Sequence, residues 1–542
     1  MGLSTNILYY NIMKSFVDSV GANNFYIFAS SLDDSTPSVN TEHSSRTFLE
    51  KSIFGKQVTT SDIRYLVRRT PWQSGVVYTQ YDDSIDTTSQ NFFVVVDPGS
   101  EVADHEVFKC ISNNYGAVST EMPVYSEGIS LQNYIVNTAD GYVWKYMYSI
   151  SNDEMALHGS TTLIPVILNT NVISNAKQGI DSIIIENPLE NSGYEKQIGS
   201  ISSISSTGTV EGHIPIFLNT TGFNQIRGYY NGYTFYTTSP NGVTSRKYTI
   251  RDSGINTSDQ KPYVSVEGYT TGDITNTSSS VWSYSITPSV DIVGDGSGAS
   301  AIPVISDGRI TKIQMLASGE DYTRSFARIT KPVFGFNPDV PESGDVTCKL
   351  RPIIGPSDIY TFPGGHGSSP ALELESRHIA VTAEFNVVDG ATIPTTNSYS
   401  KVGLVRNPLF STSGVTVFDN RIRVEISSVS GLSVGDSITQ TSTGFNGVIH
   451  SIDSINKYIY ITEFNGPYFD QSETTAFYIS NTVDIDDAQP LTTPIGRVEI
   501  VADSVVYPLY LQNSGEVVYI SDFDPIQRSP DLTEQFKFII AF

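Results

Sequence analysis

The sequence predicts a mainly β, multidomain protein: layered sheets or sandwiches with a few short helices, a discontinuous core domain and inserted β-domains. Three observations lead there. Hydrophobic residues make up 39% of the chain and charged residues only 16%, with 42 glycines and 31 tyrosines, a mixture that suits pleated sheets and polar turns better than helical bundles. Short apolar runs alternate with period two between Gly, Pro, Asn and Asp turn signals. At 542 residues the chain exceeds one core and suggests three or four domains at roughly 150 residues each.

Taken in order, residues 6 to 20 read as a helix. Leu8, Ile12, Phe16 and Val20 recur every four residues beside Tyr9, Met13 and Val17, and Gly21 stands where a C-terminal cap belongs. NFYIFAS (24 to 30) reads as a core strand, and Arg46 to Phe54, closed by Gly55, as a second helix. SDIRYLVRRTPWQSGVVYTQYDD (61 to 83) is the densest block. It reads as a strand from Ile63 to Arg68, a corner at Pro71 and Trp72, a second strand from Val76 to Tyr81, and a turn at Asp82 and Asp83. Phe92 to Val96 and Val107 to Ile111 follow as short strands. DGYVWKYMYSI (140 to 150) then places Tyr142, Trp144, Tyr146, Tyr148 and Ile150 on one face, with Val143, Lys145 and Met147 on the other. Such an aromatic row fits a sheet core better than a sugar platform.

From Ile180 the chain repeats. Ile180 to Tyr194 matches Ile310 to Tyr322 in its apolar pattern and closing Gly and Tyr, which implies two related β-units. GDGSGA (294 to 299) lacks the Lys-Ser/Thr of a phosphate loop and reads as a tight turn. The expected organisation is an N-terminal core segment over 1–179 and a repeat-containing β-domain over 180–335 with a Ser/Thr/Tyr-rich insert at about 200–288. The core returns over 336–410, a small β-module follows over 411–482, and C-terminal strands over 483–542 complete the core. Ser369-Pro370 before ALELE marks a short helix start. The alternation of Phe536, Phe538, Ile540 and Phe542 marks a buried closing strand.

With 57 acidic and 32 basic residues the net charge is -25, which repels phosphate backbones and anionic lipid. Arg68-Arg69 and Arg246-Lys247 are the longest basic groupings, so nucleic-acid binding is not expected. Cys110 and Cys348 have no neighbours at metal-ligand or disulfide spacing. MGLSTN has neither the basic and apolar regions of a signal peptide nor a myristoylation pattern, and no run approaches a membrane span. A soluble protein without cofactor, metal or membrane partner is the expectation.

Catalytic motifs find no foothold. The seven histidines form no HxH or HExxH pair, no nucleophile sits in a recognisable elbow, and chance carboxylate pairs carry no information. His366, flanked by glycines, reads as a structural histidine in a turn. Arg68, Arg69, Trp72 and Tyr81 are the candidate interface residues, because Arg and aromatic side chains dominate desolvated contacts. Tyr229, Tyr230, Tyr233, Tyr236 and Trp282 offer a second reading, in which the insert stacks host-surface glycans.

Several blocks together resemble one family: NFYIFAS, VRRTPWQSGVVYTQYDD, VFKCISNN, DGYVWKYMYSI, PIIGPSDIYTFPGGHGSSP, KVGLVRNPL and the closing GEVVYISDFDPIQRSPDLTEQFKFIIAF. They are similar to the baseplate wedge protein of T-even-type contractile-tail bacteriophages, the gene-product-8 type. The resemblance covers 24–150, 351–410 and 515–542, somewhat under half the chain. It implies a non-enzymatic virion protein with a layered β-fold, a homodimer packed against other wedge subunits, assembled in the host cytoplasm and carried in the tail baseplate. The stretches 200–288 and 411–482 are extra material relative to shorter members.

Overall fold

A computed structural model describes residues 2–31, 41–81, 89–97, 104–125, 134–185, 194–205, 212–276, 281–323, 325–329, 348–351, 365–385, 399–465, 475–479, 496–522 and 534–542. Antiparallel sheets predominate and helices are few and short, so the fold is mainly β and multidomain. The chain divides into two compact units, each built from separated segments. One comprises Met1–Tyr10, Val67–Ala156 and Ser160–Ser376; the other comprises Asn11–Leu66, Leu157–Gly159 and Arg377–Phe542.

The second unit is organised around the strand Phe25–Ser31. It pairs antiparallel with Ser52–Val58 on one side and with Tyr399–Arg406 on the other, and Glu516–Asp522 extends the sheet beyond 399–406. The closing strand Glu534–Ala541 pairs with His378–Phe385, which pairs in turn with Ile63 to Leu66. Apolar residues from these strands meet in one core: Phe25, Ile27 and Leu404 from the first sheet, Ile379, Val381, Phe536 and Phe538 from the second. The opposite face of the central strand buries Tyr26 and Phe28 against Phe48, Val405, Phe418 and Tyr510. NFYIFAS reads as continuously apolar because it is covered on both faces. A further sheet, in the order 422–425, 458–465, 445–453, 437–440, 475–479, 496–499, has its own core of Ile422, Ile438, Phe445, Ile449 and Ile461. This sheet takes in Gly496–Glu499, beyond residue 482.

In the first unit, Phe93–Val96, His105–Ser112, Val143–Ile150 and Ile135–Asn137 form one antiparallel sheet in that order. Six strands between Gln197 and Thr287 close into a barrel. The two copies of the internal repeat lie side by side, with Ile183 opposite Ile313 in one sheet and Tyr194 and Tyr322 in one core cluster.

The structure corrects several local expectations. The first helix runs Gly2–Ala22, but Met13 and Val20 are buried with Phe16 and Val17 packed beside them, while Leu8 and Ile12 are exposed. The buried stripe follows the i, i+3, i+4, i+7 track through Met13 rather than the every-fourth row. The second helix is Thr41–Glu50, and Phe54 and Gly55 belong to the next strand. Gly55 is no cap: a Cβ there would meet the Phe418 ring at 2.3 Å. Val76 to Tyr81 forms no strand. Val76 makes an isolated bridge to Ser119, and Tyr78 and Tyr81 are the buried positions, three apart. The turn expected at Asp82 and Asp83 lies outside the described residues.

The aromatic row is also broken. Val107 faces Tyr148 but Phe108 faces Tyr146, so Met147 is an extra residue, a bulge that exchanges faces. Tyr142, Trp144 and Tyr146 share the cluster with Phe108 and Cys110, whereas Tyr148 lies on the side of Val107 and Lys109.

Candidate functional site

The chemistry-bearing side chains of the first unit gather on the sheet face that carries Lys109 and Lys145. Both strands are apolar on either side of their lysine, as VFKCI and YVWKYMY, and the pairing register sets Lys109 directly opposite Lys145. Like charges facing one another across an antiparallel pair are destabilising. Each lysine has its own carboxylate. Lys109 Nζ contacts Glu373 Oε2, and Lys145 Nζ lies 3.4 Å from Asp181 Oδ2. The side chains of Lys109, Lys145 and Glu373 are wholly buried and Asp181 is 2% exposed, so any uncompensated charge here would cost several kcal/mol.

Glu373 closes the short helix Pro370–Glu373, which starts at Pro370 after Ser369 as the sequence predicts. Its carboxylate accepts from Gly367 N at 2.8 Å and from Ser369 N at 3.1 Å. The turn that carries His366 is therefore tied to the carboxylate that neutralises Lys109. Lys109 Nζ also donates to His366 Nδ1 at 2.6 Å. An ammonium is only a donor, so Nδ1 is the unprotonated nitrogen and the ring proton sits on Nε2. Burial, together with the Lys109 charge, lowers His366 to about 4. Burial pulls Lys109 below the ordinary lysine range in spite of Glu373. For Glu373 burial works upward, but the Lys109 charge outweighs it and holds the carboxyl below its usual range.

Of the four interface candidates, Tyr81 belongs to this assembly. It is 6% exposed, and Lys109 Nζ sits 4.6 Å from its ring centre while the His366 ring meets it edge-on at 5.5 Å. The other three lie elsewhere. Arg68 donates to Gln90 O at 2.6 Å and covers Phe93. Arg69 pairs with Asp97 at 3.0 Å, a carboxylate shared with His105 at 2.9 Å. Trp72 is half-buried and donates from Nε1 to Ser119 Oγ at 3.2 Å. Sequence reading noted His366 but passed over Lys109, Lys145, Asp181 and Glu373. The legible signal was a lysine inside a strand apolar on both faces, which must find a buried anion.

Next to this network lies a cavity of about 220 Å³, whose wall includes Asp181, Asn137, Lys312 and Met315. The rings proposed for glycan stacking are placed differently. Tyr229, Tyr230, Tyr233 and Trp282 are at most 5% exposed, inside the barrel core, and Tyr236 alone of the five is partly accessible. Stacking needs accessible ring faces, which a closed barrel turns inward. Among the described residues no three His, Cys, Asp or Glu side chains converge to hold a metal ion, and no helix is long and apolar enough to cross a membrane. Cys110 is a buried thiol, and burial raises it well above its ordinary value. The sequence matches no protein-family model and no curated protein.

Proposed function

We propose that this chain is a structural subunit of a contractile-tail baseplate wedge, with a mechanical and non-catalytic role in baseplate assembly and its rearrangement on contraction. One observation carries the reading. Five of the seven blocks that resemble the wedge family contribute framework strands paired with one another: Phe25–Ser31 with Tyr399–Arg406, the latter with Glu516–Asp522, and His105–Ser112 with Val143–Ile150. A framework closed by segments from both ends of the sequence suits a part that transmits load, because separating any segment disrupts a core. The buried charge network supports the same reading, since the Lys109–Glu373 pair fixes the turn at 365–376 against the sheet. Other wedge subunits and a second copy of this chain are the partners this role requires, with virions as the location.

The test is direct. In particles of the phage that encodes this chain, purified and analysed by mass spectrometry, the protein should be present at a fixed multiple of the tail sheath subunit. Antibodies against it should label the tail end distal to the head in electron micrographs. Absence from washed particles, or labelling confined to the capsid, would overturn the proposal.

A further inference from the structure

The cavity beside the buried charges has a charge arrangement that the framework does not explain. Lys312, on the strand Arg309–Glu320, lines it, and its ammonium contacts Asn137 Oδ1 at 3.4 Å. Among the described residues Lys312 has no carboxylate partner. Asp181 also lines the space, but its charge is offset by Lys145 at 3.4 Å, and its other oxygen faces Ser318 Oγ at 3.5 Å. The space is therefore left with one net positive charge, in a chain of net charge -25. Burial lowers the Lys312 amine from its ordinary value, the behaviour of a cation drawn from water without a counter-ion.

We infer that this cavity binds a carboxylate carrying a short apolar tail, with the carboxylate on Lys312 and the tail against Ile135 and Met315. Asn137, Gln314 and Ser182 stand in the same wall and supply amide and hydroxyl donors for the second oxygen. A single cation with neutral donors suits a monoanion. A phosphate dianion would leave one of its two charges unmatched by the single unpaired cation, which disfavours it. The volume of about 220 Å³ accommodates a group of several heavy atoms, such as a free short-chain acid or the C-terminal residue of a polypeptide. The inference is independent of the baseplate reading.

Calorimetric titration of the full-length chain tests it with two matched pairs: hexanoate against hexanamide, and acetyl-Ala-Ala-Ala-Leu with a free against an amidated C-terminus. At least one acid should bind at least ten-fold more tightly than its amide, and which pair shows the difference distinguishes a free acid from a chain terminus. Lys312→Gln should weaken the acid at least ten-fold and Lys312→Arg should retain it, with circular dichroism confirming the fold of each. Asn137→Leu, at an exposed edge position, should weaken it several-fold with Lys312 intact. Acid affinity should also fall as pH rises through the lowered Lys312 value. Equal binding of acid and amide in both pairs, no binding of either acid at millimolar concentration, or unchanged affinity in folded Lys312→Gln would overturn the inference.

Discussion

At the scale of single residues, the dominant fact is that two lysines face each other across a dry sheet and each is answered by one carboxylate. Removing one partner of such a pair leaves a buried charge and costs on the order of 3–5 kcal/mol. Glu373→Gln should therefore lower the unfolding free energy of the unit, read from urea titration, by that order. Adding Lys109→Met should recover part of the loss, because Gln still accepts from Gly367 and Ser369 while the stranded cation is gone. A double-mutant cycle should yield a coupling of about 1–3 kcal/mol; strict additivity would show that the pair does not act as a unit.

His366 gives a second test at this scale. Its folded value of about 4 lies below the ordinary 6.5, so the unfolded chain binds more protons between those values. Its contribution is fully present above pH 6.5 and is lost as pH falls towards 4. Glu373, also lowered, loses stabilisation in the same direction at more acid pH. His450, in the other unit, is lowered to about 4 by burial and by Arg421 and adds a similar slope. His366→Asn, whose side-chain oxygen replaces the Nδ1 acceptor, should flatten the fall of the urea midpoint between pH 6.5 and 4 without abolishing it. An unchanged slope would place the His366 titration outside the folding equilibrium.

At the scale of elements, packing against glycine decides where strands run. Phe28 has Gly55 opposite it on one neighbouring strand and Gly403 on the other. The missing side chains leave room for the Phe418 and Phe48 rings: a Cβ would come within 2.3 Å of Phe418 at position 55 and 2.7 Å of Phe48 at position 403. Gly55→Ala should cost about 1–3 kcal/mol through overpacking, read as a drop in the thermal midpoint. An unchanged midpoint would mean that the Phe418 ring moves aside without cost. The bulge at Met147 acts in the same way on the other sheet. One extra residue moves Tyr148 to the lysine side and leaves Tyr146 among the aromatics.

At the scale of the whole molecule, each unit is assembled from stretches far apart in sequence. The sandwich of the second unit needs 25–31, 378–385, 399–406, 516–522 and 534–541 together. The barrel and the six-stranded sheet instead use nearly contiguous chain and bury their own cores. That contrast gives physical content to a discontinuous framework with insertions: the inserts close locally, and the framework closes only when the ends meet.

The sequence by itself determined the class, the central strands and the closing strand. Apolar patterning is a local property, and the alternation of DGYVWKY and QFKFIIAF and the continuous apolar run of NFYIFAS carry it without reference to anything distant. It also carried a partial sign of the site, in two lysines set among apolar neighbours. Tertiary structure alone decided which anion each lysine would meet, since Asp181 and Glu373 lie 36 and 264 residues away from their partners. It decided the face exchange at Met147, the buried stripe of the first helix, and the turning of the insert's tyrosines into a barrel. The physical reason is common to all four: periodicity fixes what a segment can bury, but the partner that covers it is chosen by shape and charge across the fold.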